Sequence, residues 1–321
     1  MNVKYAIGLW LFGQLSDRFL TYHPPKSLEE RAEEASRVDG ASGVEVIYPM
    51  EFKYDELDKV KSLLREKGLS VASIIPDLFT ELRWIRGTLA SKDEKTRREA
   101  VKLCIEAVEA AKELGCKTIN IWPGQDGYDY PLQADYGKLW DWFVEGVREV
   151  ASHDSNVRVA VEYKVKEPRT HLLVSSVGKA LLLVEDIGLK NVGVTLDIGH
   201  ALQAGENPAE SLVLLQKRGK LFHLHANDNY RDWDHDLLSA SINFWDYIEI
   251  FFWLKKLNYE GWISIDVYPF RENVRRICEE SIRMMKCVES LVDKIGMSEL
   301  ERCIEVGDPA ETAVVLRKAF E

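Results

Sequence analysis

The chain has 321 residues, with 42 Lys and Arg against 53 Asp and Glu, a formal net charge of −11. Its 46% apolar and 30% charged residues suit a globular protein with a large core. The acidic balance speaks against a nucleic-acid backbone or an anionic membrane surface as main partner, since both are held by Lys and Arg.

The first apolar run, residues 6–12, is too short to span a membrane and lacks the flanks of a signal peptide. It reads as a buried first strand. From there the sequence alternates. Short apolar or β-branched runs at 5–10, 43–48, 69–75, 117–122, 157–163, 191–197, 220–226 and 262–267 predict strands. Three- and four-residue apolar spacing at 27–38, 54–67, 93–114, 134–151, 174–187, 208–218, 243–257 and 275–292 predicts helices between and after them.

Strict alternation implies parallel strands with crossover helices, and eight such units close into a (β/α)8 TIM barrel, an α/β fold. Residues 1–292 are assigned to the barrel, and 293–321 to a short C-terminal helical extension with helices at 298–303 and 309–320. No G-x-G-x-x-G follows the first strand and no G-x-x-x-x-G-K-[ST] occurs, so a dinucleotide or P-loop site loses its main support. The cysteines Cys104, Cys116, Cys278, Cys287 and Cys303 are odd in number and lack C-x-x-C spacing, which predicts reduced thiols and a cytoplasmic location.

In such barrels the reactive groups stand at the C-terminal ends of the strands. The first four strands end in Trp10, Tyr48, Pro76-Asp77 and Trp122. The last four end in Glu162, in Asp197 with His200, in His223 and His225 with Asp228, and in Asp266. One half of the mouth is aromatic and the other carries carboxylates and imidazoles.

Each of these has a plainer reading: Asp197 as a loop cap, Glu162 as the partner of Lys164 or Arg169, His200 as a buried imidazole satisfied by neighbours. Matches on four consecutive strand ends outweigh it. His223 and His225 alternate with apolar residues and share one face; His225, nearer the strand end, is the better ligand. Three carboxylates and one imidazole form a mixed oxygen and nitrogen set for a divalent ion such as Mn²⁺, Mg²⁺, Co²⁺ or Zn²⁺. Glu162 and Asp266 also suit proton transfer at carbons next to a carbonyl. Trp10 and Trp122 suit an apolar wall for a bound ligand, and Trp84 and Trp233 suit lids.

The order of these residues resembles the xylose-isomerase-like TIM barrels of the sugar phosphate isomerase/epimerase superfamily, over about residues 5–288. Glu162-Tyr163-Lys164 with Glu167-Pro168 is similar to the E-x-K…E-P segment of L-rhamnose isomerase-type enzymes, and Asp197 with His200 to the superfamily D-x-x-H. His223-Leu224-His225 with Asp228 and Arg231 resembles the H-x-H-x-x-E-x-x-R run of ketose 3-epimerases, with Asp in place of Glu. Asp266 stands where the epimerases carry Glu and rhamnose isomerase carries Asp.

The resemblance implies a metal held by Glu162, Asp197, His225 and Asp266. It also implies Lys164 and Arg231 on sugar hydroxyls and His200 on substrate or a second metal, for which Asp228, Asp232, Asp234, His235 and Asp236 are further candidates. Expected chemistry is aldose–ketose isomerisation or ketose 3-epimerisation of a free sugar or polyol. Dehydration of an inosose and isomerisation of a hydroxy-keto acid use the same ligands and stay open. An abasic-site endonuclease needs more histidines than the seven here and a basic groove, and filled ligand positions weigh against a non-catalytic sugar-binding barrel. No nucleic acid or membrane is expected as partner. The tail suits a homodimer or homotetramer contact.

Overall fold

The computed structural model describes residues 2–321. The barrel strands are β1 (Lys4–Gly8), β2 (Gly43–Tyr48), β3 (Ser70–Pro76), β4 (Thr118–Ile121), β5 (Arg158–Glu162), β6 (Val192–Asp197), β7 (Leu221–Ala226) and β8 (Trp262–Ile265). They are all parallel, run in sequence order around a closed barrel, and meet where Lys4 pairs with Trp262. The chain is therefore a (β/α)8 TIM barrel. All residues of β2 and β6 are buried, as expected of strands covered by helices outside and side chains inside.

The helices start at side chains suited to hold free backbone N–H groups. Ser27 forms a reciprocal capping box with Glu30, while Asp93, Asp135, Ser176, Asn207 and Asn273 each accept from the first turn of the helix that follows. Observed helices at Leu28–Ser36, Leu57–Glu66, Glu94–Glu113, Tyr136–His153, Val177–Ile187, Pro208–Lys217, Phe244–Lys256 and Val274–Ile295 match the expected ones within a few residues. Among the described residues, no helix is long and apolar enough to cross a membrane.

Two small sheets decorate the mouth. A hairpin pairs Leu15–Ser16 with Thr21–His23 after β1, and Gly127–Tyr128, Lys166–Glu167 and Thr170–Leu172 join the loops after β4 and β5. Strands of two or three residues carry no readable periodicity, and the sequence pattern did not predict them. A six-residue helix, Ile198–Gln203, leaves β6 at once, with Asp197 as its N-cap. The tail forms helices Met297–Val306 and Pro309–Lys318. Lys256 to Glu301 at 2.9 Å, and Lys294 Nζ donating to the Ala319 carbonyl, tie these helices to the barrel.

Candidate metal centre

Register puts the ionisable side chains in one layer. Thr195 pairs with Glu162, Asp197 with His225, and His225 with Ser264, the residue two before Asp266. One ligand atom each from Glu162, Asp197, His225 and Asp266 lies within 4.8 Å of all the others. The structure thus gathers the four expected ligands, from β5, β6, β7 and the end of β8.

Their orientations are fixed. Asn120 of β4 donates its amide to Glu162 Oε2 at 2.7 Å and accepts the Thr195 hydroxyl at 2.8 Å. Asp197 accepts the His200 backbone N–H through Oδ1 and the Asn227 amide through Oδ2. His225 Nδ1 points among the carboxylates, 3.2 Å from Asp266 Oδ2, 3.5 Å from Glu162 Oε1 and 3.8 Å from Asp197 Oδ2. No hydrogen-bond partner meets it, although it is buried.

An imidazole nitrogen without a partner, facing three carboxylates in a buried layer, is a donor set that fits a divalent cation. Like charges this close repel unless a cation lies between them. Asp266 is the most accessible of the four, with a side chain 17% exposed against 4% or less for the others. It therefore marks the side open to solvent and to a ligand.

The electrostatics follow from packing. Burial opposes charge on Glu162, but the His225 and His200 imidazoles outweigh it and hold the carboxyl far below its usual range. Asp197 is pushed up by burial and by the Asp234 and Glu162 charges. Lys164 is buried, yet Asp234 at 2.7 Å and Glu167 keep it firmly protonated. His200 links the two groups, with Nδ1 3.2 Å from Glu162 Oε1 and Nε2 3.1 Å from Asp234 Oδ2.

The other expected site residues divide. Trp122 is close to Lys164, whose Nζ lies 5.5 Å from the ring centroid, and packs edge-on against Phe79. Trp10 folds back on Gly8, where a Cβ would sit 2.4 Å from the indole, so only Gly lets the ring lie at the end of β1. Asp234 is brought in, but its carboxylate already faces the Lys164 ammonium.

Arg231 is not brought in: its guanidinium binds Asn243 and Asp246 at the start of helix Phe244–Lys256. Asp232 is also outside, with a side chain 77% exposed and only His235 nearby. Asp228 accepts the Ile242 and Asn243 backbone N–H groups and shapes the loop. Trp84 is no lid. It is fully buried and donates to the Asp77 carbonyl. Trp233 does reach across the mouth, with Lys166 Nζ 5.3 Å from its ring.

Sequence reasoning missed Glu45. It lies in the middle of β2, fully buried, 2.7 Å from His223 Nε2 and 3.0 Å from His225 Nε2. Together with His223 and His225 it makes a second group spaced closely enough for an ion. A lone carboxylate inside the all-buried run Gly-Val-Glu-Val-Ile-Tyr was the available signal.

With the barrel and this layer in place, comparison with known proteins defines the class. The family model described as xylose isomerase-like TIM barrel matches residues 32–287, so the chain belongs to that family. Among curated proteins it is 26% identical to a xylose isomerase of Thermus thermophilus, over 84% of this chain and 73% of that one. Among solved structures it resembles a D-tagatose 3-epimerase-like protein, at TM-score 0.72 and 24% identity, over 91% of this chain and 99% of that one. An L-ribulose 3-epimerase gives TM-score 0.71 at 14% identity, over 96% and 99% of the two chains. At these identities the likeness to the solved structures establishes the fold alone.

Proposed function

We propose that this protein is a divalent-metal-dependent sugar isomerase or epimerase, acting by aldose–ketose isomerisation or ketose 3-epimerisation on a free sugar. The observation that carries this reading is the convergence of Glu162, Asp197, His225 and Asp266 around a buried imidazole nitrogen that has no partner. Those four side chains would hold the ion. When bound, it supplies Lewis-acid polarisation of a sugar carbonyl and an adjacent hydroxyl.

The chain's own residues account for the rest. Glu162, kept ionised by His225 and His200, takes a proton from a carbon next to the carbonyl. Asp266, on the accessible side, handles the proton on the other side of the reacting carbon. Two barrel strands separate the two carboxylates, so they approach a bound chain from different directions. Lys164 and His200 bind hydroxyls, and the Trp122 and Trp10 rings offer flat apolar surfaces to sugar C–H groups. That curated xylose isomerases and structurally similar 3-epimerases are both among the relatives supports the class and leaves the position of the reacting carbon to experiment.

The test is incubation with Mn²⁺ or Co²⁺ and a panel of free aldoses, ketoses and inososes, with an EDTA-treated control. An isomer or epimer formed only with metal is the expected result. Loss of water from an inosose moves the assignment to a dehydratase, and absence of turnover on every free sugar overturns it.

A further inference from the structure

One buried charge in the barrel has no part in the chemistry above. Glu45 is fully enclosed, and its carboxylate meets the polar side chains of Ser73, His223 and His225. Oε1 accepts the Ser73 hydroxyl at 2.5 Å and lies 2.7 Å from His223 Nε2. Oε2 lies 3.0 Å from His225 Nε2. His223 has another partner, the Ser264 hydroxyl at 2.9 Å. Glu45 Oε2 and His225 Nε2 have none: they are close, but the oxygen stands off the N–H direction, and both atoms remain without a hydrogen bond. A buried carboxylate oxygen and an imidazole nitrogen 3.0 Å apart but misaligned for a hydrogen bond are a costly arrangement unless a second state aligns them.

The imidazole of His225 has one nitrogen toward Glu45 and the other toward the Glu162, Asp197 and Asp266 layer. To serve as a ligand through Nδ1 it must carry its proton on Nε2, and the nearest acceptor there is Glu45.

We propose that Glu45 is a positioning residue for His225. By accepting Nε2–H it selects the tautomer and ring orientation that present Nδ1 to the metal centre. The inference rests on the metal-centre reading and adds to it a determinant of ion affinity on the opposite side of the barrel, on β2. Glu45 touches neither substrate nor ion in this role. The Ser264 hydroxyl bonds His223 Nε2 and neither Glu45 nor the His225 ring nitrogens, so its removal is the control for losing a neighbouring buried polar group.

The test compares Mn²⁺ and Zn²⁺ affinity by calorimetry for the parent, Glu45→Gln, Glu45→Leu and Ser264→Ala. Glu45→Gln preserves volume, so a folding failure of the Leu variant leaves the comparison intact. The Zn²⁺-loaded, ¹⁵N-histidine-labelled proteins are then read by ¹H–¹⁵N correlation for the His225 Nε2–H proton, which a hydrogen bond to Glu45 shifts downfield and protects from exchange.

The expected result is affinity about 10- to 100-fold weaker in both Glu45 variants. Ser264→Ala stays at the parent value, and the downfield, exchange-protected His225 Nε2–H is present in the parent and lost in Glu45→Leu. Parent-like affinity in the Glu45 variants, or an Nε2–H in Glu45→Leu as downfield and protected as the parent's, overturns the positioning role while leaving the metal centre standing. A parent that binds neither ion overturns both.

Discussion

Asn120 and Glu162 are joined by a single oriented hydrogen bond, the Asn120 amide donating to Glu162 Oε2 at 2.7 Å inside the barrel. The Thr195 hydroxyl, bonded to the Asn120 carbonyl, fixes which end of the amide faces the carboxylate. The oxygen left over, Oε1, is the one facing His225 and His200. Asn120 therefore decides which oxygen of Glu162 is free for chemistry.

Replacing Asn120 by Ala leaves a buried carboxylate oxygen and the Thr195 hydroxyl unpaired. Stability is expected to fall by about 1–3 kcal/mol, read as a lower urea midpoint with unchanged slope. Turnover is expected to fall as well, because Glu162 gains rotational freedom. An unchanged midpoint would show that the bond carries no weight.

Gly199 supports Asp197 from behind. A Cβ at this position would lie 1.8 Å from Asn227 Oδ1, and Asn227 is the residue whose amide holds Asp197 Oδ2 at 2.9 Å. Gly199→Ala is therefore expected to displace Asn227, destabilise the fold by about 1–3 kcal/mol and weaken divalent-ion binding. Parent-like ion affinity in this variant would show that Asn227 is not needed to aim Asp197.

Glu51 gives the fold a pH dependence of its own, away from the candidate centre. Burial pushes its carboxyl up to about 7, with Arg31 at 2.5 Å and the Ile47 backbone N–H offsetting only part of the effect. The native state thus binds the proton more tightly than the unfolded chain, and Glu51 makes stability fall as pH rises through that window. Glu51→Gln lacks this term. Its melting temperature relative to the parent is expected to rise between about pH 5 and about pH 8, both proteins being metal-saturated. A constant difference across that window would contradict the assignment.

Thiol chemistry separates surface from core. Cys104, Cys116, Cys278 and Cys303 are buried, and burial raises the first three thiols, Cys116 and Cys278 to about 12. Cys287 is exposed. Ellman's reagent is expected to titrate one thiol in the folded protein and all five after denaturation, with Cys287→Ser removing the fast reaction. A fast reaction surviving in that variant would mean that a buried cysteine becomes accessible.

The strands of the barrel were legible because each is a compact apolar run, and β2 has the predicted bounds 43–48. The convergence of the four candidate ligands was legible because β-strand alternation and barrel architecture together place strand-end residues in one layer. Glu45 escaped because it stands inside its strand, below the layer where strand-end residues were sought. Arg231 and Asp232 were misplaced for a different reason: a local turn, with Arg231 at φ 67°, sends neighbouring side chains in unrelated directions. Asp234 is drawn inward while Asp232 faces solvent, and no spacing rule in a loop separates them. The mouth hairpins rest on pairings of two or three residues, too few to leave a pattern.

The most direct test of the metal centre is anomalous diffraction from crystals grown with Mn²⁺. One peak per chain is predicted, within coordination distance of Glu162, Asp197, His225 Nδ1 and Asp266, and absent from crystals treated with EDTA. No peak in that layer, or a peak confined to Glu45, His223 and His225, would contradict it.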